Sequence, residues 1–426
     1  MTLHSLQTRT AAESAFAEQF AAAQAAAPAL DREAAFRIFA AKGLPTRRNE
    51  AWHYTDLRSL FAKAAPLAHA PDAAAIAAAK EALAKRTPAG AVTLTIVDGY
   101  FVAELSDDRW PAGVHVAAGT LAAQAFGSDA NGDALLALNG ALTRSGCVIA
   151  VDAGVKLAER IEIVHFSTSG PAKSVYSRVS VNLGRDAQAE LVESFIGAGP
   201  DDQRNVATLI ALADGAKAVH VAIVEDNAAF HIESQLARLG DMAELSAFGF
   251  VASGALVRRQ IFATLAGEDA NLALGGLTLL DGRRHADTTL VVDHAAPHGR
   301  SREFYKHIVA GDATGVYQGK VVVQPGAQKT DGAMKSQAIL LSPHAVMNNK
   351  PELEIFADDV VCGHGATVGA LDPEQLFYLQ ARGLPKAEAE AMLLEAFGAD
   401  AIARVDDDAL AELLRDKMRA WLAARG

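Results

Sequence analysis

Cys362 and His364 are the residues of this sequence best suited to chemistry. They lie two positions apart in the stretch DDVVCGHGATVG, with glycines beside both. On a β-strand, residues i and i+2 point to the same side about 6–7 Å apart, so a thiolate and an imidazole there could address one ligand. Both groups suit iron and iron–sulfur ligation. The spacing alone leaves a buried, inert cysteine equally open.

Other chemistry for this pair needs further residues. A structural zinc site requires two more ligands, and the second cysteine of the chain, Cys147, stands alone. A cysteine hydrolase remains an alternative, but its base normally comes from a distant segment, and no oxyanion-hole signature accompanies Cys362. Because the two cysteines are far apart, we expect free thiols and a reducing, cytoplasmic location.

The stretch GVYQGKV, from Gly315 to Val321, superficially suggests a phosphate-binding loop. Such a loop needs four residues between its glycines and a Ser or Thr after the lysine. Here three residues intervene, and Val321 follows Lys320. We therefore expect no ATP hydrolysis by this chain.

A histidine-rich stretch could suggest a metal centre. Its imidazoles and carboxylates belong to His285, His294, His298, His307, Asp287 and Asp293. A proline lies between His294 and His298, the nearest pair, and disfavours a shared helical turn. We expect structural or interface histidines here rather than a metal site.

Composition excludes two classes of partner. The 426 residues include 51 Asp and Glu against 39 Lys and Arg, a formal net charge of −12. A nucleic-acid-binding protein would need a dense basic face. The sequence contains no run of about 18 apolar residues, so no transmembrane helix is predicted. Glu13 and Glu18 interrupt the alanine-rich N-terminal segment, which argues against a signal peptide.

The chain divides into three regions by its pattern of residue types. Residues 1–90 have helical patterns, residues 91–370 alternate β-branched and apolar residues, and residues 371–426 are helical again. A Gly-x-x-Ala pattern recurs in the middle region at Gly184, Gly215, Gly240 and Gly267. Turns at this spacing in a mostly β region favour a parallel β-helix, with a twisted sandwich as the alternative.

The C-terminal region carries clear helix signals. Asp372 is placed to cap a helix that begins at Pro373, and Gly383 to end it. The last segment has an apolar stripe at Leu410, Leu413, Leu414, Met418, Trp421 and Leu422. This stripe faces either the protein's own core or a partner.

Several stretches together resemble the SufB/SufD family of iron–sulfur cluster assembly scaffolds. The longest runs from Pro351 to Leu384 and includes DDVVCGHGATVG. Two further stretches, SREFYKHIV and QKTDGAMKSQAILLS, are similar to the family's central motifs. The stretch GLPTRRNEAWHYTDL resembles the N-terminal motif of the SufD branch. The residues after His364 and the absence of an N-terminal cysteine cluster also match SufD rather than SufB.

The resemblance implies a flattened, right-handed parallel β-helix between helical ends. It implies a non-enzymatic scaffold that works with a SufB-like scaffold and a SufC-like ATPase, which docks on the C-terminal helices. His364 would then face a SufB cysteine where a transient cluster forms, with Cys362 as a second candidate metal ligand. We assign the contact of the C-terminal helices to Phe377, Tyr378 and Arg382. No catalytic residue and no stably bound cofactor are expected.

Two other hypotheses compete or coexist with the scaffold. A β-helix hydrolase or lyase acting on a polysaccharide would line a groove with aromatic and acidic residues, but aromatic residues make up only 6% of this chain. A structural homodimer could form through an open solenoid edge. The homodimer is compatible with a scaffold that exchanges partners.

Overall fold

The computed structural model describes residues 9–26, 30–86, 88–119, 130, 132–197 and 199–425. All structural statements concern these residues. Residues 1–8, 27–29, 87, 120–129, 131, 198 and 426 of the three predicted regions lie outside the described residues. The first strand begins at Val92, and the last strand ends at Gly369.

The described α-helices lie at both ends of the chain, with one between the early strands. They are α1 (Ala11–Ala26), α2 (Leu30–Lys42), α3 (Leu57–Leu60), α4 (Ala73–Ala84), α5 (Ala134–Leu142), α6 (Pro373–Ala381), α7 (Lys386–Ile402) and α8 (Asp408–Arg425). Two 3₁₀ turns cover Glu50–Trp52 and Ala103–Leu105.

Most strands are eight to ten residues long and follow one another closely. They are β1 (Val92–Val97), β2 (Tyr100–Phe101), β3 (Val114–Ala118), β4 (Gly146–Val151), β5 (Ile161–Ser167), β6 (Ser174–Leu183), β7 (Gln188–Gly197), β8 (Gln203–Leu212), β9 (Lys217–Val224), β10 (Phe230–Leu239), β11 (Glu244–Val251), β12 (Leu256–Leu265), β13 (Asn271–Leu280), β14 (His285–His294), β15 (Arg300–Val309), β16 (Thr314–Val323), β17 (Asp331–Leu340), β18 (Val346–Ile355) and β19 (Val361–Gly369).

Alternate strands belong to alternate sheets, which makes a solenoid. The first sheet has the order β19-β17-β15-β13-β11-β9-β7-β5-β1-β2, and the second has the order β18-β16-β14-β12-β10-β8-β6-β4-β3. From β4 and β5 onward every pairing is parallel and in register from one coil to the next. The predicted parallel β-helix with helical ends is confirmed.

The tight turns that lead from the second sheet to the first stack as a ladder. Six of these turns have one residue with a left-handed φ of 56–68°, at Asp186, Gly215, Met242, Asp269, His298 and Lys329. The backbone N–H of this residue donates to the next turn, as from Met242 to Glu268 O (2.8 Å) and from His298 to Gln328 O (2.9 Å). The ladder therefore satisfies backbone groups that tight turns would otherwise leave unpaired.

The glycine of the Gly-x-x-Ala pattern opens three of its four turns. Those turns open at Gly184, Gly240 and Gly267, and their alanines are fully buried. Gly215 lies one step further into its turn, which Ala213 opens, and is the one of the four glycines with a left-handed φ, of 68°. Glycine is required at 215 because a Cβ would lie 2.2 Å from Oδ1 of Asp186. The alanine equivalent to the others is Ala216.

Helices cover the outer faces of both sheets. On the second sheet, Phe16, Phe39 and Trp52 pack with α5 against Ile232 and Leu256. On the first sheet, the apolar stripe of α8 and residues of α7 pack against β11, β13 and β15. Of the two alternatives for the α8 stripe, the protein's own core is therefore the one found. None of the described helices combines the length and hydropathy needed to span a bilayer.

The space between the sheets holds ionic groups as well as apolar ones. The carboxylate of Glu193 lies 2.6 Å from Nε2 of His165 and 3.1 Å from Nε2 of His220. Arg259 donates from Nε and Nη2 to Glu233, at 2.8 Å each. The Arg259 guanidinium lies so close to Gly249 that a Cβ there would be 1.3 Å from Nη1. Glycine thus makes room for a buried ion pair.

Candidate functional site

The candidate site lies at the C-terminal end of the solenoid. β18 and β19 end their respective sheets, and each pairs along one edge only, with β16 and β17. The other edge of each strand carries backbone N–H and C=O groups that a further strand could pair with. Because no described element caps this last coil, its inward-facing side chains are also accessible.

β19 carries both residues predicted for metal chemistry. Cys362 pairs in register with Gly332, and His364 pairs with Met334, so both side chains lie on the inward side of the strand. Cys362 is half-buried against the apolar core, whereas His364 is exposed. The structure brings the pair together on one face, with His364 exposed.

The surroundings of Cys362 favour the protonated thiol. Burial raises its pKa, and the carboxylates of Asp331 and Glu303 raise it further, while the backbone of Gly332 lowers it. A thiol binds iron as the thiolate, so a bonding metal must displace the proton. Cys362 and His364 supply two ligands at most. Among the described residues, no group of three His, Cys, Asp or Glu side chains is arranged to hold a metal.

Apolar side chains are exposed around this end of the solenoid. Val361 of β19 is 73% exposed, and Phe356, just after β18, is 59% exposed. Val346 and Ile355 of β18 and Val368 of β19 are exposed as well. Exposed apolar side chains beside two free strand edges are typical of a protein–protein interface.

The C-terminal helix α6 presents a second exposed apolar surface. Asp372 caps it by accepting from the backbone N–H of Glu374 at 2.8 Å, and Gly383 ends it with a φ of 95°. Phe377 and Tyr378 are largely exposed. The guanidinium of Arg382 lies 5.0 Å from the Tyr378 ring centroid and donates to its hydroxyl at 3.0 Å. The three predicted contact residues thus share one helix end, but their partner role stays a prediction.

The histidine-rich stretch does not form one site. His294 and His307 are fully buried, and burial lowers their pKa values to about 4 and about 3. His285 contacts the hydroxyl of Thr55 at 2.9 Å, on the outer face that α2 and α3 flank. His298 occupies a surface turn. These four histidines thus lie at separate places in the fold rather than around one site.

Sequence reasoning missed a set of buried polar residues within the motif SREFYKHIV. Ser301, Glu303, Tyr305 and His307 alternate along β15 and all point between the sheets. The period-two pattern was visible, but the alternate residues of the motif include Arg302 and Lys306. Both faces therefore appeared polar, and the sequence did not show which one is buried.

A groove of about 510 Å³ lies on the first sheet. It is lined by residues such as Glu190, Lys217, Glu244, Arg300 and Arg302, and none of its lining residues is aromatic. This groove therefore lacks the aromatic platforms common in sugar-binding clefts. A second groove, of about 530 Å³, includes the aromatic residues Trp52 and Phe262 among its lining residues.

Comparison with known proteins agrees with the fold and the motifs. Residues 165–397 match the SufBD core domain of the SUF system for FeS cluster assembly, and residues 14–163 match the SufBD protein N-terminal region. The iron–sulfur cluster assembly protein SufD of Escherichia coli is 30% identical over 380 residues, which cover 86% of this chain and 87% of that protein. An iron–sulfur cluster assembly SufBD family protein of Synechocystis is 29% identical, covering 88% and 86%. This chain therefore belongs to the SufBD family, in its SufD branch.

Proposed function

We propose that this chain is a non-enzymatic scaffold subunit of iron–sulfur cluster assembly that acts with a SufB-like scaffold and a SufC-like ATPase. The observation that carries the proposal is the uncapped last coil. It combines two free strand edges, an exposed apolar surface and the Cys362–His364 pair. A partner solenoid that adds its own strands there would bury the apolar surface and bring further ligands to the pair.

The nascent cluster is the cargo of this site. Cys362 and His364 offer one sulfur and one nitrogen ligand, so the partner must supply the rest of the coordination. The cluster would be held transiently, because two ligands from this chain are too few to retain it. Two free cysteines agree with work in a reducing, cytoplasmic compartment.

The ATPase would dock on α6. Phe377 and Tyr378 give an exposed aromatic surface, and Arg382 fixes the Tyr378 ring by a hydrogen bond and a cation–π contact. Aromatic and Arg residues are the usual centres of binding energy at protein interfaces. A partner with its own nucleotide site complements a chain whose GVYQGKV stretch lies in β16 and forms no phosphate loop.

Co-expression with SufB-like and SufC-like chains tests the proposal. We expect all three to copurify and to assemble a cluster measurable as iron and sulfide. His364→Ala should leave the complex intact but lower cluster yield. Val361→Glu should release the SufB-like chain, because it places a charge in the apolar surface. Phe377→Ala with Tyr378→Ala should release only the ATPase.

Matched controls separate the interface from general effects of substitution. Met242→Glu places the same charge at a residue that is 61% exposed in a distant surface turn, and should keep all partners. Full cluster yield with His364→Ala would remove His364 from the proposal. Retention of the SufB-like chain by Val361→Glu would move the interface away from the last coil.

A further inference from the structure

The interior of the solenoid just below the last coil contains a concentration of unpaired polar groups. We call Ser301, Glu303, Tyr305, His307 and Tyr317 the interior polar cluster. Each is at most 1% exposed. Seven of their side-chain atoms make no hydrogen bond of ordinary geometry to the described residues: both carboxylate oxygens of Glu303, both ring nitrogens of His307, and the hydroxyls of Ser301, Tyr305 and Tyr317. The Ser301 hydroxyl still lies near enough to the Glu303 carboxylate to lower its pKa.

These groups are too many and too close together for a dry core. A buried polar group without a partner costs about 1–3 kcal/mol, and native proteins satisfy such groups with protein or ordered water. The rings of Tyr305 and Tyr317 are 5.0 Å apart, and those of His307 and Tyr317 are 6.1 Å apart. A buried water needs two to four polar partners, which this arrangement provides.

The interior polar cluster is connected by register to the candidate site. Glu303, Met334 and His364 occupy equivalent positions in three successive coils of the first sheet. Two coil spacings amount to about 10 Å. Ser301, Gly332 and Cys362 form the adjacent column.

Gly332 places no side chain in the middle of the column that Ser301 and Cys362 flank. A Cβ built on it would lie 3.5 Å from Sγ of Cys362 and 3.6 Å from Oγ of Ser301. A hydroxyl and a thiol therefore face one small space that no side chain occupies. This space joins the interior polar cluster to the last coil.

Glu303 is the ionisable carboxyl group of the cluster, and its charge depends on all the elements around it. Burial raises its pKa to about 7, and Ser301 and Arg302 of its own strand offset only part of this effect. Its register neighbours Leu274 on β13 and Met334 on β17 carry no charge. The other titratable or charged groups that face it or its neighbour Tyr305 are Tyr305 and His307 (β15), Tyr317 (β16), Arg259 (β12), Glu233 (β10) and Cys362 (β19).

We propose that ordered water occupies the interior polar cluster and the space over Gly332, and that Glu303 accepts through this water the proton released when a thiol at the last coil bonds iron. The inference rests on the proposed function. In this step the S–H bond breaks and the S–Fe bond forms. The proton adds to a Glu303 carboxylate oxygen, no electron is transferred, and the proton later returns to solvent.

The pH dependence of cluster assembly by the complete complex tests the role of Glu303. Only the ionised carboxylate can accept a proton, so the wild-type rate should rise as pH increases through about 7. Glu303→Gln should be about tenfold slower at about pH 8 and approach the wild-type rate at about pH 6. Glu303→Asp, which retains an ionisable group, should restore part of the rate and its pH dependence.

A second variant tests the water path without altering Glu303. Gly332→Ala fills the open space with a methyl group at ordinary contact distances, so the fold should tolerate it. It should slow assembly at about pH 8 and leave the infrared carboxylic-acid band of Glu303 unchanged. Gly326→Ala is the matched control, because no atom lies within 4 Å of a Cβ there.

The outcomes separate this inference from the function on which it rests. Slower assembly than wild type at about pH 8 in both variants, with the rise through about pH 7 lost in Glu303→Gln, supports the proton path. Equal pH profiles in wild type and Glu303→Gln, with partners bound, overturn it. If Glu303→Gln does not fold, an unchanged rate in Gly332→Ala overturns it instead. If the wild-type chain does not assist cluster assembly at all, the result contradicts the proposed function rather than the proton path alone.

Discussion

Replacing Glu303 by glutamine should change how the stability of the isolated chain depends on pH. Glu303 is 1% exposed, and burial raises its pKa from 4.5 to about 7. Glutamine has almost the same shape but does not ionise in this range, so the comparison isolates the charge. The predicted effect needs no partner and no cluster.

The sign and size follow from proton linkage. In the unfolded chain Glu303 ionises near pH 4.5, whereas in the folded chain it keeps its proton until about pH 7. Its favourable contribution is therefore fully present below pH 4.5 and is lost as pH rises to about 7. The pKa difference corresponds to about 3 kcal/mol. Above about pH 7 the contribution stays constant.

Urea denaturation at a series of pH values measures this effect. The free energy of unfolding of wild type, minus that of Glu303→Gln, should fall by about 3 kcal/mol between about pH 4.5 and about pH 7.5. Other titrating groups are common to both proteins and cancel in the difference. A difference that is flat across this range would show that Glu303 is already ionised when folded, and the argument from burial would be refuted.

Two further predictions concern the core. Gly249→Ala should destabilise the fold by about 3–5 kcal/mol in urea denaturation, because the new methyl group displaces Arg259 and breaks its buried ion pair with Glu233; a change no larger than that of Gly326→Ala would contradict the packing. Alkylation of the native chain should modify Cys362 alone, because burial strongly raises the pKa of Cys147 and encloses it. Mass spectrometry should therefore count one modified thiol in the native chain and two in denaturant, and modified Cys147 in the native chain would be evidence against the described core.

The course of the chain could be predicted in outline because its signals are local. Asp372, Pro373 and Gly383 mark the bounds of α6 through capping and backbone conformation, which act over a few residues. The Gly-x-x-Ala repeat could be recognised in the sequence because each stacked turn buries an alanine. The different place of Gly215 within its turn could not be distinguished, because glycine can open a turn or occupy its left-handed position, and alanine follows in both cases.

The residues of the candidate site could be predicted from the sequence, but their burial could not. Cys362 and His364 could be identified from their types and spacing, since side chains two apart on a strand share a face. Their different burial could not be predicted, because it depends on which coil is last and on what covers it. Glu303 was hidden for a similar reason: the face of β15 that turns inward is set by pairing with β13 and β17.

By itself, the sequence determined the order of helices and strands, the soft-ligand pair and the family motifs, all of which depend on neighbouring residues. Only the tertiary structure decided that Ser301, Gly332 and Cys362 form one column and that the last coil is open. Those relations join residues about 30 positions apart, through parallel register and the stacking of coils. No local propensity encodes them, because they arise only when each coil buries its face against the next.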